Sequence, residues 1–324
     1  MKIQRKLFFA LAIFSALISS QRAIAQKSYR IGALVAGDQF LPAVEGFKKK
    51  MMELGYQEGK NISYDLQNSE GDPETLKNLS KKLVEKNPDV IVTSSTTATV
   101  PLAKLTEGTN LPVVFLSAGN PLAFVKSYAS SGNNLTGISN SSIDLTEKRL
   151  ELLKELDPRV KRLISLYDTQ QVSYEPIRRG VQEAAARLGL GVVEVTVSSK
   201  EDLNAKLGSL NRKMGDAIFV SPQALIAAAM KEIVRQSIKE RLPTIVPTFD
   251  DVKSGGLATY GADYYSLGQQ GAVLVDKILR GARPSDLPIE LPRKLYLVIN
   301  MKAAKAIGLK ISKEILLRSD EVIE

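Results

Sequence analysis

Two runs of small polar residues carry the chemistry that this sequence offers. Ser94-Ser95-Thr96-Thr97-Ala98-Thr99 sets hydroxyl groups at the start of a helix, with Pro101 placed in its first turn. Free N–H groups and the positive end of the helix dipole at such a start favour an anion, and the hydroxyls add donors. Ser117-Ala118-Gly119-Asn120-Pro121 repeats the arrangement, with Asn120 as N-cap and Pro121 at the first helical position. Facing them in the second half stand Asp168 with Tyr174, Ser221, Asp250, and Tyr260 through Asp263. A cationic amine would need a carboxylate, for which Asp250 and Asp263 are candidates, and an aromatic body could stack on Tyr174 or Tyr260. The same Ser, Thr, Asn and Asp residues also serve as caps and turn formers, the Tyr residues as packing, and a pocket needs few polar groups.

What is missing narrows the chemistry further. The 324 residues include neither Cys nor His, which removes thiolate nucleophiles, disulfides, imidazole bases and the usual zinc ligands. Ser–Lys catalysis lacks its S-x-x-K spacing, since Ser127 follows Lys126 and Ser209 stands four before Lys213. Asp250 and Asp251 are adjacent on a loop and point in different directions, and no G-x-x-x-x-G-K-[ST] phosphate loop occurs. The chain is therefore read as a binding protein and not an enzyme, with no cofactor and no metal ion.

The elements that must position these residues alternate. Strands are expected at Tyr29–Val35, Asn61–Leu66, Asp89–Ser94, Val113–Ser117 and Leu135–Ser139, with helices at Val44–Leu54 and Pro73–Lys86. That order calls for a parallel sheet covered on both faces, with ligand sites beyond the carboxyl ends of the strands. The second half repeats the first. Gly46, Leu54 and Gly55 recur as Gly180, Leu188 and Gly189; Leu76, Leu83, Asp89, Ile91 and Ser94 as Leu203, Leu210, Asp216, Ile218 and Ser221; Leu111-Pro112 as Leu242-Pro243. The pattern gives two similar doubly wound α/β lobes. Asp144–Leu156 and Leu267–Leu279 are matching amphipathic helices, each following a crossing between lobes. With a further crossing after Gly281-Ala282-Arg283-Pro284, three segments form a hinge. The lobes are expected at 26–139 plus 264–282 and at 140–263 plus 283–324.

The first 25 residues read as an export signal: Lys2, Arg5 and Lys6, an apolar run from Leu7 to Ser20, then Ala23-Ile24-Ala25. Cleavage after Ala25 would deliver a periplasmic, soluble product. Losing Lys2, Arg5, Lys6 and Arg22 with the signal lowers the formal charge from +9 to +5. The remaining basic clusters, such as Lys48-Lys49-Lys50 and Lys81-Lys82, lie on helices that also carry acids, and no nucleic-acid reading motif is present.

The chain resembles the periplasmic substrate-binding proteins of a family of ATP-binding-cassette importers whose characterised relatives include tryptophan and other aromatic amino-acid binders. The resemblance rests on Leu54-Gly55-Tyr56-Gln57-Glu58-Gly59-Lys60-Asn61, Pro88-Asp89-Val90-Ile91-Val92, Leu111-Pro112-Val113-Val114-Phe115, Asn134-Leu135-Thr136-Gly137, Arg149-Leu150-Glu151-Leu152-Leu153, Tyr260-Gly261-Ala262-Asp263, Leu297-Val298-Ile299-Asn300 and Arg318-Ser319-Asp320-Glu321-Val322-Ile323. It spans nearly the whole mature chain. It implies a type I periplasmic binding-protein fold, a cleft that closes, and delivery of solute to a membrane permease with its ATPase subunits; the chain is expected to work as a monomer on a small solute such as an amino acid or related carboxylate. A soluble sensor that presents its closed form to a membrane signalling receptor is the alternative use of the same architecture.

Overall fold

A computed structural model describes residues 27–324; the expected signal segment and its cleavage site lie outside the described residues. The chain opens with β1 (Tyr29–Val35), α1 (Leu41–Glu53), β2 (Ile62–Asn68), α2 (Pro73–Glu85), β3 (Val90–Ser94), α3 (Thr96–Leu105), β4 (Val113–Ala118) and β5 (Leu135–Ser139). These strands form one parallel sheet in the order β2-β1-β3-β4-β5. Val90 to Ser94 and Val113 to Ala118 are buried throughout, as strands covered on both faces must be.

The second set runs α4 (Thr146–Leu156), β6 (Arg162–Asp168), α5 (Tyr174–Arg187), β7 (Gly191–Val197), α6 (Lys200–Leu207), β8 (Ala217–Val220), α7 (Ala224–Ala228), α8 (Met230–Glu240), β9 (Thr244–Ile245), α9 (Phe249–Lys253) and β10 (Ala258–Gly261). Its sheet order, β7-β6-β8-β9-β10, is the first sheet's order over again, so the duplication read in the sequence is a duplication of topology. Then follow α10 (Tyr264–Leu279), β11 (Tyr296–Asn300), α11 (Met301–Ile307), α12 (Lys313–Arg318) and β12 (Glu321–Ile323). The last two strands extend the second sheet, β11 antiparallel to β10 and β12 parallel to β11.

Each lobe borrows a helix from the other half of the chain. α4 follows β5 of the first sheet but packs against α5, with Leu150, Leu153 and Leu156 in the second core. α10 follows β10 of the second sheet but lies on α1 and β4, with Leu267, Leu274 and Val275 in the first core. The stretch Pro284 to Leu291, expected on the second lobe, runs along the first instead. Ile289 N–H donates to Tyr128 O at 2.8 Å and Glu290 N–H to Gly137 O at 3.0 Å, and Glu290 bridges in parallel to Ile138. β5 is an edge strand, and this segment occupies its open hydrogen-bonding side. Pro101 is likewise one turn deeper in α3 than expected, so Thr97 O has no N–H four residues on to receive. No helix among the described residues is long and apolar enough to cross a membrane.

Candidate ligand-binding site

The carboxyl ends of both sheets face one another across a narrow cleft. On the first lobe the turn after β3 sets the geometry. Ser95 holds φ +96°, outside the comfortable range for a side-chain-bearing residue, and is pinned there from three sides. Its N–H donates to Ser117 O (3.0 Å), its Oγ accepts from Ala98 N–H (3.1 Å), and its carbonyl accepts from Thr99 Oγ1 (2.7 Å). The turn presents Thr96 and Thr97 to the cleft. Thr96 Oγ1 accepts from Asn120 N–H at 3.0 Å, which ties the turn after β3 to the turn after β4. Ser117, Gly119, Asn140 and Phe40 complete this wall.

The opposite wall is Ile143, Gln171, Ser173, Ile177, Pro222 and Ala224. Gln171 is held by its Nε2 donating to Asp168 Oδ2 at 2.8 Å, while Asp168 Oδ1 accepts from Gln170 N–H. Behind them Gln223 exchanges two 2.8 Å bonds with the Asp168 backbone and accepts from Ser221 Oγ. Two amides span the gap. Thr97 Oγ1 donates to Gln171 Oε1 (3.1 Å), and Gln39 Nε2 donates to Ala224 O (3.3 Å).

Of the residues selected from sequence, Ser95, Thr96, Thr97 and Ser117 line the cleft. Ser94 is fully buried at the end of β3, its Oγ without a partner, and Asn120 contributes its backbone N–H. Asp168 and Ser221 stand behind the wall and position Gln171 and Gln223. Four selections stand outside the cleft lining. Asp263 caps α10, accepting from Tyr265 N–H and Ser266 N–H. Asp250 accepts from Tyr264 N–H at 3.4 Å; burial raises its pKa, and the nearby Asp263 carboxylate raises it further. Tyr174 packs edge-on against Tyr167, centroids 5.9 Å apart, and Tyr260 packs against the second core. In each case an apolar ring found a core and a carboxylate found unpaired N–H groups, the commoner use of both. Sequence reasoning missed Asn140, Phe40, Ile143 and Ile177. Asn140 follows β5, so the rule that drew attention to the other strand ends would have found it had it been applied there.

Behind the cleft, one buried cation fastens the first connecting segment. Arg149 is 0% exposed; its Nη1 donates to Pro247 O at 2.9 Å and its Nη2 to Ser142 O, over the face of Phe219. Burial pulls its pKa down to about 10 and pushes that of neighbouring Asp251 up to about 6.

Residues 29–323 match the family model described as ABC transporter substrate binding protein. The chain is 30% identical to a tyrosine-binding protein of Clostridioides difficile (strain R20291) over 88% of this chain and 82% of that protein. It is similar to the solved structure of an ABC domain in complex with L-Trp from Streptococcus pneumonia: TM-score 0.84, 27% identity, 92% of this chain and 100% of that one. The ligand-free, open structure of a substrate binding protein with adhesive properties from Clostridium difficile gives a TM-score of 0.67 at 26% identity, covering 91% and 99%. The match over nearly the whole described chain, on two duplicated lobes with a shared cleft, means that the chain belongs to the ABC transporter substrate binding protein family.

Proposed function

We propose that this protein is the exported, monomeric solute-binding component of an importer, and that it traps a small amino acid or related carboxylate between its lobes by hinge closure. The observation that carries the reading is the cleft itself: strand ends from both sheets converge on one small cavity spanned by two neutral hydrogen bonds. Three connecting segments, around 140–145, 262–263 and 291–295, serve as the hinge. The two solved relatives support closure. At nearly equal identity and coverage, likeness is high to the L-Trp complex and falls for the open, ligand-free form, as expected when lobes match and their relative placement does not. The closed form is what a permease and its ATPase subunits would receive, in the periplasm.

Solute addition to the mature chain tests this directly. A ligand at a hundredfold excess over its Kd stabilises the folded state by about 2.7 kcal/mol. A thermal-shift screen of amino acids and small carboxylates should find such a compound, and scattering should then show a smaller radius of gyration. Thr97→Val removes a donor from the cleft and one of its two spanning bonds, so affinity should fall about threefold to tenfold. Unchanged affinity would move the pocket elsewhere.

A further inference from the structure

The cleft has no formally charged side chain in its lining. Its polar edge consists of hydroxyls and amides from Ser95, Thr96, Thr97, Ser117, Asn140, Gln171 and Ser173, and the remaining side chains are apolar. Both acids that could have met an amine are engaged elsewhere: Asp263 caps α10 and Asp250 accepts from Tyr264 N–H. Asp168 is buried behind the lining, its two oxygens accepting from Gln170 N–H and Gln171 Nε2, so that it meets the cleft only through Gln171. An ammonium buried here would lose its hydration and meet only neutral partners, an expensive exchange. A carboxylate is treated differently. The N–H groups of Thr96 and Thr97, at the start of α3, have no acceptor among the described residues, and the helix dipole favours negative charge at that end.

Resting on the solute-binding reading above, we infer that the cleft selects a monocarboxylate with an apolar body and no ammonium group, and discriminates against the zwitterionic amino acid of the same shape. This separates the chain from the relatives named for tyrosine and for L-Trp. Gln171 is the specificity-determining position, because it is the uncharged amide that meets Thr97 across the cleft and stands between the lining and the Asp168 carboxylate. Its Oε1 faces Thr97 and its Nε2 is committed to Asp168.

Calorimetric titration of the mature chain with matched probes decides the matter. 3-(4-Hydroxyphenyl)propionate is compared with L-tyrosine and tyramine, and indole-3-propionate with L-tryptophan. At least one propionate should bind about tenfold or more tighter than its amino acid, and tyramine should give no heat, if burying the ammonium is the dominant cost. An amino acid that binds as tightly as its propionate, or more tightly, overturns the inference and leaves the solute-binding reading standing. Silence of all five probes also overturns it; the broader reading fails only if a wide solute panel moves neither the melting temperature nor the radius of gyration. Gln171→Glu should shift the preference at least about tenfold towards the amino acid by supplying the missing charge, whereas Gln171→Asn, neutral and shorter, should keep the preference for the propionate. A ratio unmoved by Gln171→Glu in a protein that still melts cooperatively would refute the role given to Gln171.

Discussion

The two lobes have one strand order and two ways of seating a borrowed helix. On the first lobe α10 crosses α1 at backbone contact: a Cβ at Gly46 would fall 2.0 Å from Tyr265 O, and one at Gly268 would fall 1.8 Å from Ala43 O. On the second lobe α4 meets α5 through leucines, and a Cβ at Gly180 would have only Ile143 Cγ2 within reach, at 3.9 Å. Gly46 and Gly180 occupy matching places in the repeat, so a shared glycine is obligatory in one lobe and incidental in the other. The cause lies in the visiting helix. α10 brings Gly268, Gly271 and Ala272 to its interface, whereas α4 brings Leu150, Leu153 and Leu156. A helix seated at backbone distance cannot slide without clashes, so closure is expected to be absorbed by the connecting segments and not by movement of α10 on its own lobe.

The sharpest way to break this contrast is Gly268→Ala. The new methyl overlaps the main chain of α1, which cannot give way as a flexible side chain would. Overpacking of this kind should cost about 3 kcal/mol or more, or abolish folding, read by urea denaturation. A loss below about 1 kcal/mol would mean that the helices separate readily and that the first lobe is as loosely seated as the second.

The hinge side of the second lobe supplies the next effect. Arg149→Met keeps the apolar stem and removes the donors to Ser142 O and Pro247 O, which leaves two buried carbonyls without those partners. The expected cost is about 2–3 kcal/mol. The counterpart tie on the first lobe is Gln270, whose Nε2 donates to Leu291 O at 2.9 Å and to Glu290 Oε2, and whose Oε1 accepts from Arg293 N–H. Gln270→Leu should cost less, because no buried charge is involved.

A pH titration separates the lobes in another way. Burial raises Asp251 to about 6, above the ordinary carboxylate value near 4, so the folded state holds its proton more tightly than the unfolded chain does. The stability this contributes is fully present below about pH 4 and is lost as pH rises through 6. Asp251→Asn should remove up to about 2 kcal/mol of that slope, measured as melting temperature between pH 4 and pH 7. Asp250, raised by the same burial, leaves a smaller slope behind. An unaltered profile would place the titrating group elsewhere.

How much of this was legible beforehand follows from what each feature depends on. The duplicated sheet was readable because strand alternation and helix faces are local patterns, and recurrences such as Asp89 with Asp216 made one lobe a check on the other. Both acids do the same work, accepting backbone N–H groups at the start of β1 and of β6. The site was legible as segments and less so as side chains. The strand ends after β3, β4, β6 and β8 lie at or just behind the cleft, yet whether Asp263 turns to a ligand or to the N–H groups of Tyr265 and Ser266 depends on a local competition that residue type does not decide. Apolar lining residues such as Ile143 and Ile177 carry no chemical signature and look like any core position. The hold of Pro284 to Leu291 on β5 was hidden because it is a long-range pairing of an irregular segment, without periodicity to betray it.

The smallest expected effect is the one that closes the comparison between lobes. Gly180 lies inside α5 with helical backbone and open space where a methyl would go, so it carries the entropic cost of glycine in a helix without any packing reason for it. Gly180→Ala should therefore stabilise the protein by about 0.5–1 kcal/mol, while the same change at Gly46, its partner in the repeat, should destabilise through the clash with Tyr265 O. The opposite signs are the test, and both variants can be measured by urea denaturation under one condition. Loss of stability in both would show that α4 seats on α5 as closely as α10 seats on α1, and the asymmetry drawn between the lobes would have to be given up.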